Sequence, residues 1–570
     1  MFPEILEVME KLPHLNLSGS KIKELPSSIN NLTGLRYLIL NDCKELKSLP
    51  SNIHMKSLTT LDLSGCSSLE MFPEILEVME KLQTLDISGS KIKELPSSIN
   101  NLTGLIYLSL KDCKELKSLP SSFHMKSLKT LDLSGCLSLE MFPEILEVME
   151  ELLELNLSGS KIKELPSSIN NLIGLGYLKL KDCKELKSLP SVIHLRYLAI
   201  LDLSGCSSLE MFPEILEVNK VLPELNLSGS KIKELPSSIN NLKRLRYLKL
   251  NDCKELKSLP SFHLRSLKTL DLFGCSSLEK FPEILEVMEE VPELNLSGSK
   301  IKELPSSINN LTGLRYLNLK DCKELKSLPS SIRMKSLKTL DLSGCSSLEM
   351  FPEILEVMEE VPELNLSGSK LKELPSSINN LTGLRFLNLR DCKELKSLPS
   401  VIHMRSLIIL NLSGCSSLEM FPDILEVMKK LSFLSLSGSK IKELPSSINN
   451  LTELRYLYLK NCKELKSLPS SICQLKSLNY LHLSGCTKFE VFPSIEENME
   501  ELTELHLDGT SIRELPPSIE RLQRLVSLNL RKCESLVHLP DTLCNLACLS
   551  ALNLNGCTNL SQFPVNSEIL

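Results

Sequence analysis

The segment "LRYLILNDCKELKSLP", residues 35–50, returns down the chain with small edits, and that recurrence constrains the fold more than any single residue does. Aligning "LDLSGC" at Leu61, Leu131, Leu201 and Leu340 with "LDLFGC" at Leu270 and "LNLSGC" at Leu410 gives a period of 70 residues, once 69. Each period divides into three units that start at Leu12, Leu35 and Leu58 and again at Leu82, in steps of 23, 23 and 24 residues. Their shared pattern is L-x-x-L-x-L-x-x-(C/S)-x-x-L-x-x-(L/F)-P, with 24 units in all, the last beginning at Leu549.

One such unit buries too few aliphatic side chains to offset the conformational entropy of ordering its own backbone. Stacked units share an apolar layer and pair their strands, so the pattern reads as a leucine-rich repeat. The expected fold is an α/β leucine-rich-repeat solenoid of about 24 units. A curved parallel β-sheet forms its concave face, and short helices and irregular turns form the convex face. A single solenoid is expected over residues 1–570. It opens in mid-unit, because "MFPEILEVMEK" matches residues 71–81, and it ends in an incomplete unit, 549–570, without an evident polar cap after Pro564. These ends suggest a fragment, or a gene product without its flanking domains.

Strand periodicity assigns the side chains. In the unit at Leu35, Leu38 and Leu40 point inward while Tyr37 and Ile39 point outward, and Leu46, Leu49 and Ile53 return to the core. "FPEILEVMEKL", residues 72–82, is expected to begin a short helix at Pro73 and Glu74, with Ile75, Leu76 and Met79 as its apolar side. "SGSKIKELPSS" has Gly and Lys but no second glycine, so it reads as a turn and not as a phosphate loop.

Sixteen of the nineteen cysteines hold the ninth position of their unit, where other units carry Ser20, Ser90 or Thr510. A buried thiol there can bond to backbone groups that the turn leaves unpaired. The rival reading is a disulfide, since Cys43 and Cys66 would lie one strand apart. The absence of an export signal favours reduced thiols in a cytoplasmic or nuclear setting. Cys544 and Cys548 have only His538 near them, short of a zinc ligand set. The recurrent His54, His124, His194, His263 and His403 sit three units apart and read as surface residues. No metal, cofactor or catalytic residue is expected, and the chain reads as a non-enzyme.

A net charge of −6, with acids and bases mixed, leaves no basic tract for nucleic acid. The longest apolar run is five residues, 197–201, far short of the roughly 20 that span a bilayer. Nucleic acid and membrane are therefore not expected partners.

Outward strand positions vary most between copies. The second site holds Arg36, Ile106, Gly176 or Arg246; the fifth holds Ile39, Ser109, Lys179, Lys249, Asn318, Asn388 or Tyr458. Between them runs an aromatic row of Tyr37, Tyr107, Tyr177, Tyr247, Tyr316, Phe386 and Tyr456, often beside arginine, as at Arg36, Arg246, Arg315, Arg385 and Arg455. Tyr and Arg are favoured at binding hot spots, which makes these the candidate partner-binding residues. The rival reading is a strand-edge shield copied by duplication.

The units "LRYLILNDCKELKSLPSSI" and "LKTLDLSGCSSLEMFPEI" resemble the leucine-rich repeats of plant intracellular immune receptors with a Toll and interleukin receptor type N-terminal domain. The likeness extends over essentially the whole chain and rests on cysteine at the ninth site. It implies a disease-resistance recognition module for plant defence, whose protein ligand is a pathogen effector or a guarded host protein. It also implies a nucleotide-binding domain as partner, absent from this chain. Without Walker-type or N-terminal catalytic motifs, nucleotide binding and NAD cleavage do not transfer. A general interaction scaffold or inhibitor solenoid without an immune role is the alternative.

Overall fold

Leucines at the first, fourth and sixth sites leave room for only three residues of strand per coil, and the chain adopts that length throughout. The computed structural model describes residues 2–563 except Ser122, Leu195 and Met334, so the expectation for 564–570 lies outside the described residues. It forms two compact units, Met1–Leu278 with Pro282–Val291, and Glu279–Phe281 with Pro292–Leu570. Among the described residues each unit holds twelve such strands, which together match the 24 expected repeats of a leucine-rich-repeat solenoid.

In the first unit His14–Asn16, Tyr37–Ile39 and Thr60–Asp62 pair in parallel, His14 against Tyr37 and Tyr37 against Thr60. In the second, Tyr456–Tyr458 pairs with Tyr480–His482, and Glu504–His506 follows. The central leucine of each strand is its inward residue, as at Leu38, 1% exposed. Behind it Leu40, Cys43 and Leu46 are fully buried, and Leu49 and Ile53 nearly so.

Each ninth-position thiol donates to a carbonyl of the preceding coil: Cys43 Sγ to Leu17 O at 3.1 Å, Cys66 Sγ to Leu40 O at 3.2 Å. Where serine takes the site, its hydroxyl meets the next thiol, as Ser20 Oγ does Cys43 Sγ at 3.3 Å. The thiol is thus a second donor to a carbonyl that already closes its own turn, Leu17 O accepting Ser20 N at 3.1 Å and Leu40 O accepting Cys43 N at 3.2 Å, and its own polar group is satisfied in the process.

The expected helix in residues 72–82 does not form. Phe72, Ile75 and Met79 are buried with helical spacing, but Leu76 is 63% exposed and the segment runs extended. The reason lies in its amides. Ile75 N donates to Ser98 Oγ at 3.0 Å and Met79 N to Asn101 O at 2.9 Å, so neighbouring-coil acceptors take the donors a helix would use internally.

Helical turns occur instead in the "SSINN" segments. Ser97–Asn101, a 3₁₀ helix, begins after Pro96, buries Ile99 and holds the preceding coil twice: through the Ser98 hydroxyl, which also donates to Glu74, and through Asn101 Nδ2 to Ile75 O at 2.6 Å. In Ser27–Asn31, Asn30 Nδ2 reaches forward to Asn52 O at 3.2 Å, and Asn30 Oδ1 accepts from His54 N at 2.9 Å. "SGSKIKELPSSINNL" therefore contains a turn at its start and a clamp on both neighbouring coils at its end, which accounts for its near-identity between copies. The histidines on the return face glutamates, His54 Nδ1 lying 3.8 Å from Glu77 Oε1 and His194 Nδ1 3.5 Å from Glu217 Oε1.

Candidate functional site

Alternation along each strand leaves the third and fifth sites on the open face of the sheet, and the second site lies just before the strand. The third-site residues Tyr37, Tyr177, Tyr247, Tyr316, Phe386 and Tyr456 are 37% to 47% exposed, and Tyr107 is half-buried. Arg36, Arg246, Arg315, Arg385 and Arg455 are exposed beside them. Register separates these aromatic residues. Within each unit two coils intervene between one and the next, about 14 Å at the usual strand spacing. Tyr37 stacks on His14, centroids 5.4 Å apart, and not on another member of the row.

The fifth site divides by chemistry. Lys179 and Lys249 are spoken for by Glu154 and Glu224, each at 2.6 Å. Asn318 Oδ1 and Asn388 Oδ1 accept the amides of Lys320 and Arg390 at 2.9 and 3.1 Å, closing the turn just as Asp62 does with Ser64 N at 2.9 Å. Ser109 was expected to face outward, but it is only 2% exposed. Its hydroxyl bonds Ser88 Oγ at 2.6 Å and Tyr107 lies against it. Ile39 and Tyr458 are half-buried on the open face.

In the second unit the rings become continuous. Tyr458 packs against Phe433 and Tyr480, with centroids 5.3 and 5.1 Å apart. Tyr480 packs against His482 and His506 at 5.7 and 5.1 Å, and the two imidazoles lie 4.9 Å apart. Tyr480 Oη is 3.2 Å from His482 Nδ1. Burial, with the neighbouring His506 ring, pushes the His482 imidazole down to about 4, so it is neutral at physiological pH. Sequence reasoning picked out Tyr456 and Tyr458 but missed Phe433, Tyr480, His482 and His506. The signal was present: "LNYLHL" and "LTELHL" put His where sister strands carry Asp or Asn.

Elsewhere the titratable groups are structural. Burial raises the Cys66 thiol to about 12 and moves Cys113 and Cys136 the same way, which keeps them protonated and poorly nucleophilic. Among the described residues no group of three His, Cys, Asp or Glu is placed to hold a metal ion, and no helix is long and apolar enough to cross a membrane.

The family model for "Disease resistance protein RPS4B-like, leucine-rich repeats" matches residues 54–127, 124–197, 262–336, 333–416 and 474–564, more than half of the chain, and a leucine-rich repeat region model matches 407–508. Protein SUPPRESSOR OF npr1-1, CONSTITUTIVE 1 of Arabidopsis thaliana is 35% identical over 388 residues, covering 57% of this chain and 27% of its own. TMV resistance protein N of Nicotiana glutinosa is 33% identical over 335 residues, covering 58% and 27%. The chain thus spans about a quarter of the length of these curated relatives. The solved leucine-rich-repeat protein LIC12759 of Leptospira interrogans aligns over 93% of this chain and 90% of its own, at 21% identity and a TM-score of 0.31. From its repeats and the family model that matches more than half of its length, the chain belongs to the RPS4B-like leucine-rich-repeat family of disease resistance proteins.

Proposed function

We propose that this chain is the non-catalytic recognition module of a plant disease-resistance protein, binding a protein partner through the open face of its sheet. One observation carries the reading. Tyr, Phe and Arg side chains stand exposed across that face in both units, where a purely structural sheet needs no large aromatic residues. The partner class is a pathogen effector or a guarded host protein, and the signal passes to a nucleotide-binding domain outside this chain. The names of the resistance-protein relatives support the immune setting.

The test is proximity labelling in infected leaf with the 570-residue chain. It is compared with a variant carrying Ala at Arg455, Tyr456, Tyr458, Arg385 and Phe386. The variant should lose the proteins labelled by the parent chain while its circular dichroism is unchanged. The same labelled set from both would refute recognition through this face.

A further inference from the structure

The recognition role leaves open what chemistry a partner brings to the face, and the ring cluster of the second unit answers that. Tyr458, Tyr480, His482 and His506 form one platform with centroids 4.9 to 6.0 Å apart, each ring held by its neighbours before anything binds. Such pre-packing lowers the ordering cost of an interface. The faces of the two tyrosine rings carry negative electrostatic potential.

Two carboxylates border the platform. Glu504, His506 and Asp508 alternate along one segment and so share its outward side. Glu504 Oε2 is 3.1 Å from His506 Nε2, and Asp508 accepts from the Ser484 hydroxyl and, at 3.0 Å, from Asn529 Nδ2. Among the described residues no lysine or arginine is ion-paired with either. The contrast with the first unit is direct. There Glu154 and Glu224, at the same coil position as Glu504, are neutralised by Lys179 and Lys249 of the next strand, whereas the strand after Glu504 carries the uncharged Asn529 at the lysine's position. Lys460 stands at the opposite rim, near His482, so the platform has an acidic end and a basic end.

We propose that this platform, resting on the recognition role above, seats an arginine of the partner protein at its acidic end, over Tyr480 and His506 and between Glu504 and Asp508. A planar guanidinium can stack on rings and bond carboxylates in its own plane, which a lysine ammonium cannot do. His482, held neutral by burial, adds no charge of its own to the rings.

The test is to pan phage-displayed random dodecapeptides on the intact chain and measure the selected peptides by calorimetry. Selected peptides should carry arginine. Their affinity should fall at least about tenfold against Glu504→Gln with Asp508→Asn, and against Tyr480→Ala, with circular dichroism unchanged. Replacing the peptide's arginine by citrulline should cost as much. The carboxamide pair keeps its size and hydrogen bonding, so it remains informative if Tyr480→Ala unfolds. Peptides that lack arginine, or that bind the parent and carboxamide forms equally, would overturn the arginine seat while leaving recognition by the face intact. If no peptide is selected, both fall.

Discussion

At Gly65 the backbone φ is +73°, and a Cβ built there would lie 2.5 Å from Asp42 Oδ1 of the preceding coil. Two costs therefore fall on one atom, the left-handed backbone and the displaced carboxylate. Gly65→Ala is expected to lose about 2 to 3 kcal/mol, read as a lower denaturation midpoint. Gly176 has a negative φ, and its added Cβ would meet only Leu153 O at 3.6 Å, so Gly176→Ala should change the midpoint little. Residue-level chemistry was partly legible in the sequence. Period alone put Cys43 in a buried turn, but it also cast Asn318 and Asn388 as free outward side chains, whereas each closes onto the amide two residues on. Asn219 was hidden for a similar reason. It is fully buried where sister coils carry Met79 and Met149, and it stays there because its Oδ1 accepts two amides at 2.7 Å.

Strands were readable because a period of two is imposed by the leucines themselves. Helices were misplaced because the same buried spacing, Phe72, Ile75 and Met79, is met by an extended chain whose amides are claimed by another coil. A side-chain hydroxyl 23 residues away decides that outcome, and no window of local sequence contains it. Ser98→Ala leaves Ile75 N without its acceptor and should cost about 1 to 3 kcal/mol. Amide exchange at Ile75 should speed up at least about tenfold, while exchange at Thr84, in the strand of the next coil, stays within a factor of about two. Equal protection of Ile75 in both proteins would show that the extended segment is held by burial alone. The continuous rings of the second unit were missed for a different reason. Comparison was made among strands of one type, whereas Tyr458, Tyr480 and His506 belong to three successive types brought together by register.

For the whole molecule, burial raises ladder thiols in both units above their ordinary 9.0, to about 12 at Cys66 and in the same direction at Cys345. The sign follows from linkage. The unfolded chain releases these protons first, so stability is intact below pH 9 and is lost as pH rises toward 12. Each such thiol adds about 1.4 kcal/mol per pH unit to the slope. Tm should therefore fall steeply between pH 9 and 12, and Cys66→Ala, though less stable at pH 7, should show a shallower decline. Parallel declines in the two proteins would mean that the thiol ladder does not govern alkaline stability.

The direction of the thiol bonds carries a consequence for synthesis. The Leu17 carbonyl, already bonded by Ser20 N, waits for its second donor, Cys43, 26 residues further along, and the Leu40 carbonyl, bonded by Cys43 N, waits for Cys66 over the same interval. At ordinary translation rates that is about 1 to 5 s per coil. The newest coil on the ribosome is always one partner short, so the nascent chain advances with a single unfinished edge that each arriving cysteine seals behind it.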